Sequence, residues 1–221
     1  MPTSRPDLKD SGDAGDAGRG GARRGSLSQP EIVAAAVIVG DRDGLDAISM
    51  RRVATELGCE AMSLYRHVAN KQDLLRLVAE AVLSEFSTPH PGAWRAQLSA
   101  ISDEMRRLAL AHPNLFPLVA EQLPGTEVAL VPVGLTLSAL RSAGLSEEDV
   151  VSCFWALASY TAGALVAEAA FMRGVHQTFP AASLPLEKEV AELAPLLGIN
   201  GWEGEFRRGL MILLDAIEAR T

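Results

Sequence analysis

The sequence predicts an all-α protein made of two helical domains. Apolar residues recur at helical spacing along most of the chain, and no stretch shows the strict alternation that is typical of a half-buried strand. Aromatic residues make up only 5% of the chain, so the core must be built mainly from Ala, Leu and Val, which suit packed helices better than sheets. A chain of 221 residues is long enough to bury a substantial core.

Residues 1–27 differ in composition from the rest of the chain and are predicted to be a disordered arm. They are rich in Gly, Asp and basic residues and contain hardly any apolar side chains. Arg19, Arg23 and Arg24 form a basic run at the end of this arm. Two interpretations stay open: a solubilising tail, or an arm whose arginines reach into the minor groove of DNA.

Capping and turn residues divide residues 28–88 into four helices. Ser28 and Glu31 stand at capping-box spacing and predict the start of the first helix, which ends at Gly44. The other boundaries are predicted by Ser49 and Gly58 around a second helix, by a third helix over about 61–68, and by Asn70 and Asp73 at the start of a fourth.

Pro89 and Pro91 mark the start of a second and more apolar domain, residues 89–221. Three acids follow Ser146 and favour a helix start there, because they lie at its positive end. The pattern predicts helices over about 93–111, 127–143, 147–172 and 202–219, a Pro-punctuated stretch over 114–125, a loop over 174–185 and a short helix before Pro195.

Residues 150–167 contain no charged side chain and raise the alternative of a membrane span. Eighteen apolar residues are the lower limit for crossing a bilayer. The flanks of this stretch are acidic, and no cluster of Lys or Arg sets an orientation. We therefore predict a buried helix in a protein that does not enter the membrane.

The motifs that usually accompany catalysis are absent from the sequence. It contains no glycine-rich phosphate loop, no G-x-S-x-G, no HExxH and no paired Cys motif, so no enzyme and no cofactor is predicted. Four scattered histidines lack the spacing of metal ligands, so no metal site is predicted either. Cys59 and Cys153 are interpreted as reduced thiols of a cytoplasmic protein.

The second and third helices form a helix-turn-helix unit. Gly58 permits the left-handed turn between them, and Leu64 and Val68 hold the third helix to the core. An α-helix fits the major groove of B-DNA, so its outer face can meet base edges. The outward residues are Ala61, Met62, Tyr65 and Arg66, with Ser63 and His67 at the flanks.

The run SMRRVATELGCEAMSLYRHVANKQDLLRLV, residues 49–78, resembles the DNA-binding domain of the TetR (tetracycline repressor) family. The resemblance is carried by Leu-Gly at 57–58, Leu-Tyr-x-His-Val at 64–68, and Lys71 followed by Leu-Leu at 74–75. It implies a homodimeric repressor that a small-molecule effector releases from operator DNA. A helical protein-interaction module that does not bind DNA is the alternative.

The resemblance also implies roles for individual residues of this surface. Tyr65 and His67 match the family's phosphate anchors, and Lys71 matches its backbone-contacting lysine. Ala61, Met62 and Ser63 occupy the base-facing start of the recognition helix, while Arg51 is expected to reach bases or phosphates. Arg66 stands where the family is variable, and an Arg side chain has the length to reach a guanine or a phosphate.

Net charge does not contradict DNA binding, although the chain carries −8 at pH 7. Residues 51–71 hold four basic side chains against Glu56 and Glu60. Salt screens charges beyond roughly 8 Å at physiological ionic strength, so the local positive surface matters more than the total.

In the second domain the resemblance implies an effector pocket and a dimer interface. The interface is expected on the helix at 147–172 and the last helix at 202–219, which carries Phe206, Leu210, Leu213, Leu214 and Ile217. Candidate pocket residues mix polarity with apolar surroundings: Met105, His112, Phe116, Gln122, Trp155, Tyr160 and Arg173.

Overall fold

The computed structural model describes residues 27–122, 126–174 and 201–221. Within these ranges the chain forms α-helices and short 3-10 helices and no strand, which confirms the all-α prediction. The predicted disordered arm with Arg19, Arg23 and Arg24, most of the predicted 174–185 loop, and the short helix before Pro195 lie outside the described residues.

Three of the first four helices begin at the predicted caps. Ser28 and Glu31 form the capping box, with the Ser28 backbone N–H donating to Glu31 Oε2 at 2.9 Å. Ser49 Oγ accepts from the Arg52 backbone N–H, and Asn70 Oδ1 accepts from that of Asp73. The helices are α1 (Gln29–Asp43), α2 (Met50–Leu57), α3 (Ala61–Leu64) and α4 (Lys71–Ser84), with a 3-10 turn at Leu45–Ala47.

The third helix is shorter than predicted, because it ends at Leu64 rather than near Val68. The backbone N–H groups of His67 and Val68 both donate to the Leu64 carbonyl, which closes the chain into tight turns. The early end of α3 is explained by the cap of α4. The Asp73 carboxylate accepts from the Ala69 backbone N–H, so the chain from Ala69 onward already belongs to the start of α4.

The second part of the chain contains one helix that the sequence did not predict. Phe116–Gln122 is α-helical within the Pro-punctuated stretch, and Pro117 lies in its first turn, where a missing N–H costs nothing. The helices are α5 (Trp94–Ala111), α6 (Phe116–Gln122), α7 (Leu130–Ser142), α8 (Glu147–Met172) and α9 (Gly201–Glu218), with a 3-10 turn at Glu127–Ala129.

Helix α8 is the centre of the second part of the chain and contacts α5, α6, α7 and α9. In the first part, α1 packs against α2 and α4, and α4 packs against α6. Leu115 reaches α1 so closely that a Cβ on Gly40 would lie 2.4 Å from Leu115 Cδ2. The helix-turn-helix part and the rest therefore share one continuous core.

Helix α9 is fastened to α8 by Tyr160. The Tyr160 hydroxyl donates to the Phe206 carbonyl at 2.8 Å, and the two rings stack with centroids 6.1 Å apart. Gly209 lets the ring approach, since a Cβ there would lie 2.1 Å from the Tyr160 hydroxyl oxygen. Four residues of the apolar stripe on α9 are consequently buried within the subunit: Phe206, Leu210, Leu214 and Ile217.

Among the described residues, α8 is long and apolar enough to cross a membrane. Helix α6 and the stretch Glu127–Ser142 meet at a sharp bend, and the two together would be a second candidate span if they were counted as a single broken helix. Only 22% of the most apolar part of α8 is buried within the chain. Its exposed face carries Val151 and Trp155, and the neighbouring α9 exposes Met211 and Ile212. These exposed apolar side chains lie on two helices that contact each other, and they suit a partner helix pair as well as lipid.

Candidate nucleic-acid interface and effector cavity

The turn between α2 and α3 positions the candidate recognition surface. Gly58 adopts φ 67° and ψ 31°, a left-handed conformation that a Cβ would penalise. The Cys59 N–H donates to the Ala54 carbonyl at 3.0 Å, which ends α2 and turns the chain toward α3. Leu64 and Val68 are buried, as predicted, and hold α3 to the core.

Five of the eight predicted DNA-contacting residues of this unit are exposed. Met62 is 71% exposed and Tyr65 47% exposed, although large apolar and aromatic side chains are usually buried. Gln29 Nε2 donates to the His67 carbonyl at 3.0 Å and so connects the turns that follow α3 to α1. Arg51, Arg66 and Lys71 are also exposed, while Ala61, Ser63 and His67 are half-buried beside them.

Ion pairing separates the cations of this domain into two groups. Arg42 and Arg52 bind Asp43 at the end of α1 and Glu56 on α2, and Arg76 binds acids on α4. The hydrogen bond from Arg42, then that from Arg52, holds the pKa of Asp43 down at about 2. Within the described parts of the chain, Arg51, Arg66 and Lys71 form no ion pair with an acid, so their charges are available to an anionic partner.

A cavity of about 480 Å³ lies in the second part of the chain, between α5, α6, α7 and α8. Its lining is mainly aliphatic and aromatic, with Phe116, Phe154 and Trp155 supplying rings. Phe154 and Trp155 meet edge to face with centroids 5.4 Å apart. A volume in the range of roughly 300–1,000 Å³ is typical of small-molecule sites.

Five hydroxyl side chains interrupt this apolar lining, on Ser102, Thr126, Thr136, Ser159 and Thr161. Ser102 donates to the Leu98 carbonyl, and Thr136 donates to the Pro132 carbonyl at 2.8 Å. Thr126 differs, because its buried hydroxyl oxygen has no hydrogen-bond partner among the described residues. Such a group is uncommon in a folded protein and is a candidate ligand contact.

The structure brings three of the seven predicted pocket residues to the cavity. Met105, Phe116 and Trp155 line it. His112 and Tyr160 instead bind other helices, and Arg173 Nε donates to the Ala169 carbonyl on its own helix. Gln122 ends α6 outside the cavity lining.

The comparisons with known proteins agree with this arrangement. A family model described as "Bacterial regulatory proteins, tetR family" matches residues 32–78. A second, "Tetracyclin repressor-like, C-terminal domain", matches residues 88–221, more than half of the chain. The chain belongs to the TetR family of transcriptional regulators. These findings favour a regulator over the alternative of an interaction module without DNA binding.

Individual TetR-family relatives match along nearly the whole chain. An HTH-type transcriptional regulator of Saccharopolyspora erythraea is 32% identical over 201 residues, which cover 87% of this chain and 85% of that protein. ActR of Streptomyces coelicolor, solved in complex with (S)-DNPA, is 31% identical with a TM-score of 0.73, covering 89% of this chain and all of that one. BioQ, solved with its double-stranded DNA operator, is 29% identical with a TM-score of 0.68, and the match covers 87% of this chain and 99% of that one.

In this TetR-family chain His112 joins the two parts of the molecule. It begins the segment that leads into α6, and its Nδ1 lies 2.8 Å from Asp41 Oδ2 on α1. Its Nε2 lies 3.2 Å from Glu85 Oε2 at the end of α4, and both nitrogens can donate only in the charged imidazolium. Burial alone would lower the pKa of His112, but the two carboxylates outweigh burial, so the pKa is raised.

Stability should therefore depend on pH through His112. A raised folded-state pKa contributes stability that is fully present below the unfolded value of about 6.5 and is lost as pH rises through the folded value. Urea denaturation from pH 6 to 9 should show the wild-type losing its advantage over His112→Gln as pH rises. A difference between the two proteins that stays constant with pH would contradict this.

Sequence reasoning missed the partners of His112 and most of the cavity lining. Asp41, Glu85 and Thr126 carry no motif, since isolated acids and hydroxyls near helix ends are usually solvated. No group of three or more His, Cys, Asp or Glu side chains in the described ranges is placed to hold a metal ion.

Proposed function

We propose that this TetR-family chain is a homodimeric repressor that a small-molecule effector releases from operator DNA. The observation that carries the proposal is the exposed surface around α3, where Arg51, Arg66 and Lys71 are not paired with any acid of the described residues. Its support includes BioQ, which was solved with its operator, and ActR, which was solved with a small molecule.

The surface divides into positioning and base-reading residues. Tyr65, His67 and Lys71 would contact phosphates, since their side chains carry hydrogen-bond donors. Ala61, Met62 and Ser63 would face bases, with Arg51 and Arg66 reaching bases or phosphates; a residue such as Met62 offers apolar contact, for instance to a thymine methyl group.

A second copy of the chain would supply the second helix-turn-helix that a specific DNA site requires. One helix-turn-helix covers too little DNA for a specific site, and such proteins bind two half-sites as dimers. Helices α8 and α9 expose the large apolar side chains of Val151, Met211 and Ile212, and contact with a partner helix pair would remove them from water. We place the dimer interface there, and this accounts for the apolar character of α8 without a membrane.

Effector binding in the cavity would be transmitted to the DNA-binding helices through α6. Phe116 lines the cavity, and its backbone N–H donates to the His112 carbonyl at 2.9 Å. His112 in turn binds Asp41 on α1 and Glu85 after α4. An effector that binds better when α6 is displaced would therefore favour a state in which the two recognition helices no longer match their half-sites.

A regulator of this kind would act in the cytoplasm on the DNA of its own cell and would have no catalytic activity. The support is the family's function, since the curated relatives are transcriptional regulators rather than enzymes.

Binding to DNA that flanks the protein's own gene tests the proposal. A gel shift should show a specific complex whose affinity falls steeply between 50 and 200 mM salt, because phosphate contacts release counterions. The Lys71→Gln variant should show a shallower dependence on salt, with Arg141→Gln, which removes an exposed cation in α7, as the matched control. No specific complex, or an affinity that does not change with salt, would contradict the proposal.

A further inference from the structure

We infer that the cavity takes an uncharged, flat ring compound with a carbonyl or hydroxyl group that binds Thr126. The inference rests on the proposed function, since it names the class of effector. It depends on three features of the cavity: the absence of ionisable side chains among its described lining residues, the placement of its rings, and the unpartnered hydroxyl.

Charge is the first discriminating feature. None of the described residues that line the cavity is Asp, Glu, Lys, Arg or His, although the chain as a whole is rich in acids and arginines. An ionised ligand would lose its hydration in this lining without gaining a charged partner, which is strongly unfavourable. The same lining offers no carboxylate or imidazole to a metal chelate.

Shape is the second feature. Phe116 contributes a fully buried ring from α6, while Phe154 and Trp155 contribute an edge-to-face pair from α8. An apolar lining that contains three aromatic rings favours a flat, conjugated ligand over a flexible chain, because a flat ring system can pack against aromatic faces and edges and has little conformational freedom to lose on binding.

Hydrogen bonding is the third feature. Thr126 is 9% exposed and precedes the 3-10 turn at Glu127–Ala129, but its side chain does not cap that turn. Ser102 and Thr136 already donate to backbone carbonyls, whereas the Thr126 hydroxyl has no partner among the described residues. A ligand carbonyl or hydroxyl at this point would satisfy a buried group that is otherwise costly.

Two isosteric probes test the class directly. Anthraquinone-2-carboxamide is neutral, and anthraquinone-2-carboxylate is an anion of nearly the same size and shape. In isothermal titration calorimetry with the full-length protein in the absence of DNA, the carboxamide should bind at least about tenfold more tightly than the carboxylate. Equal or tighter binding of the carboxylate, or no binding of either probe, would overturn the inference.

Matched variants test the role of Thr126. Thr126→Val keeps the shape of the side chain and should lower the affinity for the carboxamide roughly five- to tenfold. Thr136→Val is the control and should change it less, since its hydroxyl already donates to a carbonyl. Equal effects of the two variants would remove Thr126 from the inference. Calorimetry needs no operator, so failure here is distinct from failure of the gel shift.

Discussion

Replacing Tyr65 with Ala is expected to weaken binding to all operator sequences alike, by roughly 30- to 100-fold. Tyr65 is 47% exposed on the α3 surface and carries a hydroxyl suited to a phosphate oxygen. One lost hydrogen bond costs about 1 kcal/mol, and the dimer would lose it twice together with the ring contact. Fluorescence anisotropy with a panel of single-base operator variants measures the effect.

Two further variants separate the contribution of the Tyr65 hydroxyl from that of its ring, and separate phosphate contact from base recognition. Tyr65→Phe should retain the ring contact and lose only the hydroxyl, so its effect should be smaller than that of Tyr65→Ala. Met62→Ala should instead change the preference at one position of each half-site, because Met62 is 71% exposed at the start of α3 and lacks a strong donor. A shift of sequence preference in Tyr65→Ala would contradict the assignment.

Removing Arg106 is expected to destabilise the fold strongly. Arg106 on α5 donates from Nε and Nη2 to the two carboxylate oxygens of Glu168 on α8, at 2.9 and 2.6 Å. The Glu168 side chain is only 5% exposed. Arg106→Met would leave this buried carboxylate without its guanidinium and should lower the free energy of unfolding by about 3–5 kcal/mol.

The double variant Arg106→Met/Glu168→Leu provides the matched control. Replacing both partners by apolar side chains removes the buried charge itself, so most of the lost stability should return. Urea denaturation at one fixed protein concentration measures the difference, because dimer formation makes stability depend on concentration. A loss smaller than about 1 kcal/mol in the single variant would show that the pair is not critical.

The helix-turn-helix surface could be predicted from the sequence because its constraints are local. Ser49, Gly58 and Asn70 each determine a helix end through one short-range contact, and Leu64 and Val68 follow from helical spacing. The exception is the length of α3, where the cap of α4 competes for the same residues. Which of the surface residues contact DNA stays a prediction.

The cavity could be predicted only in part, because it depends on tertiary packing. Met105, Phe116 and Trp155 reach it, but nothing local separates them from Tyr160, which packs on α9, or His112, which binds α1. The criterion of a polar group among apolar neighbours identified candidate pocket residues, but it does not determine which helix each side chain faces. Helix α6 was not predicted for a related reason. The prolines of this stretch indicated a loop, but Pro117 lies in the first turn of α6, where proline is compatible with a helix.

A nuclease footprint on the DNA that flanks the protein's own gene tests the central claim most directly. The claim is that two copies of the α3 surface bind adjacent major grooves. We expect two symmetric protected half-sites with centres about one helical turn apart, roughly 34–36 Å, and we expect their loss in Tyr65→Ala. A single unsymmetric protected site, or full protection by Tyr65→Ala at the wild-type concentration, would contradict it.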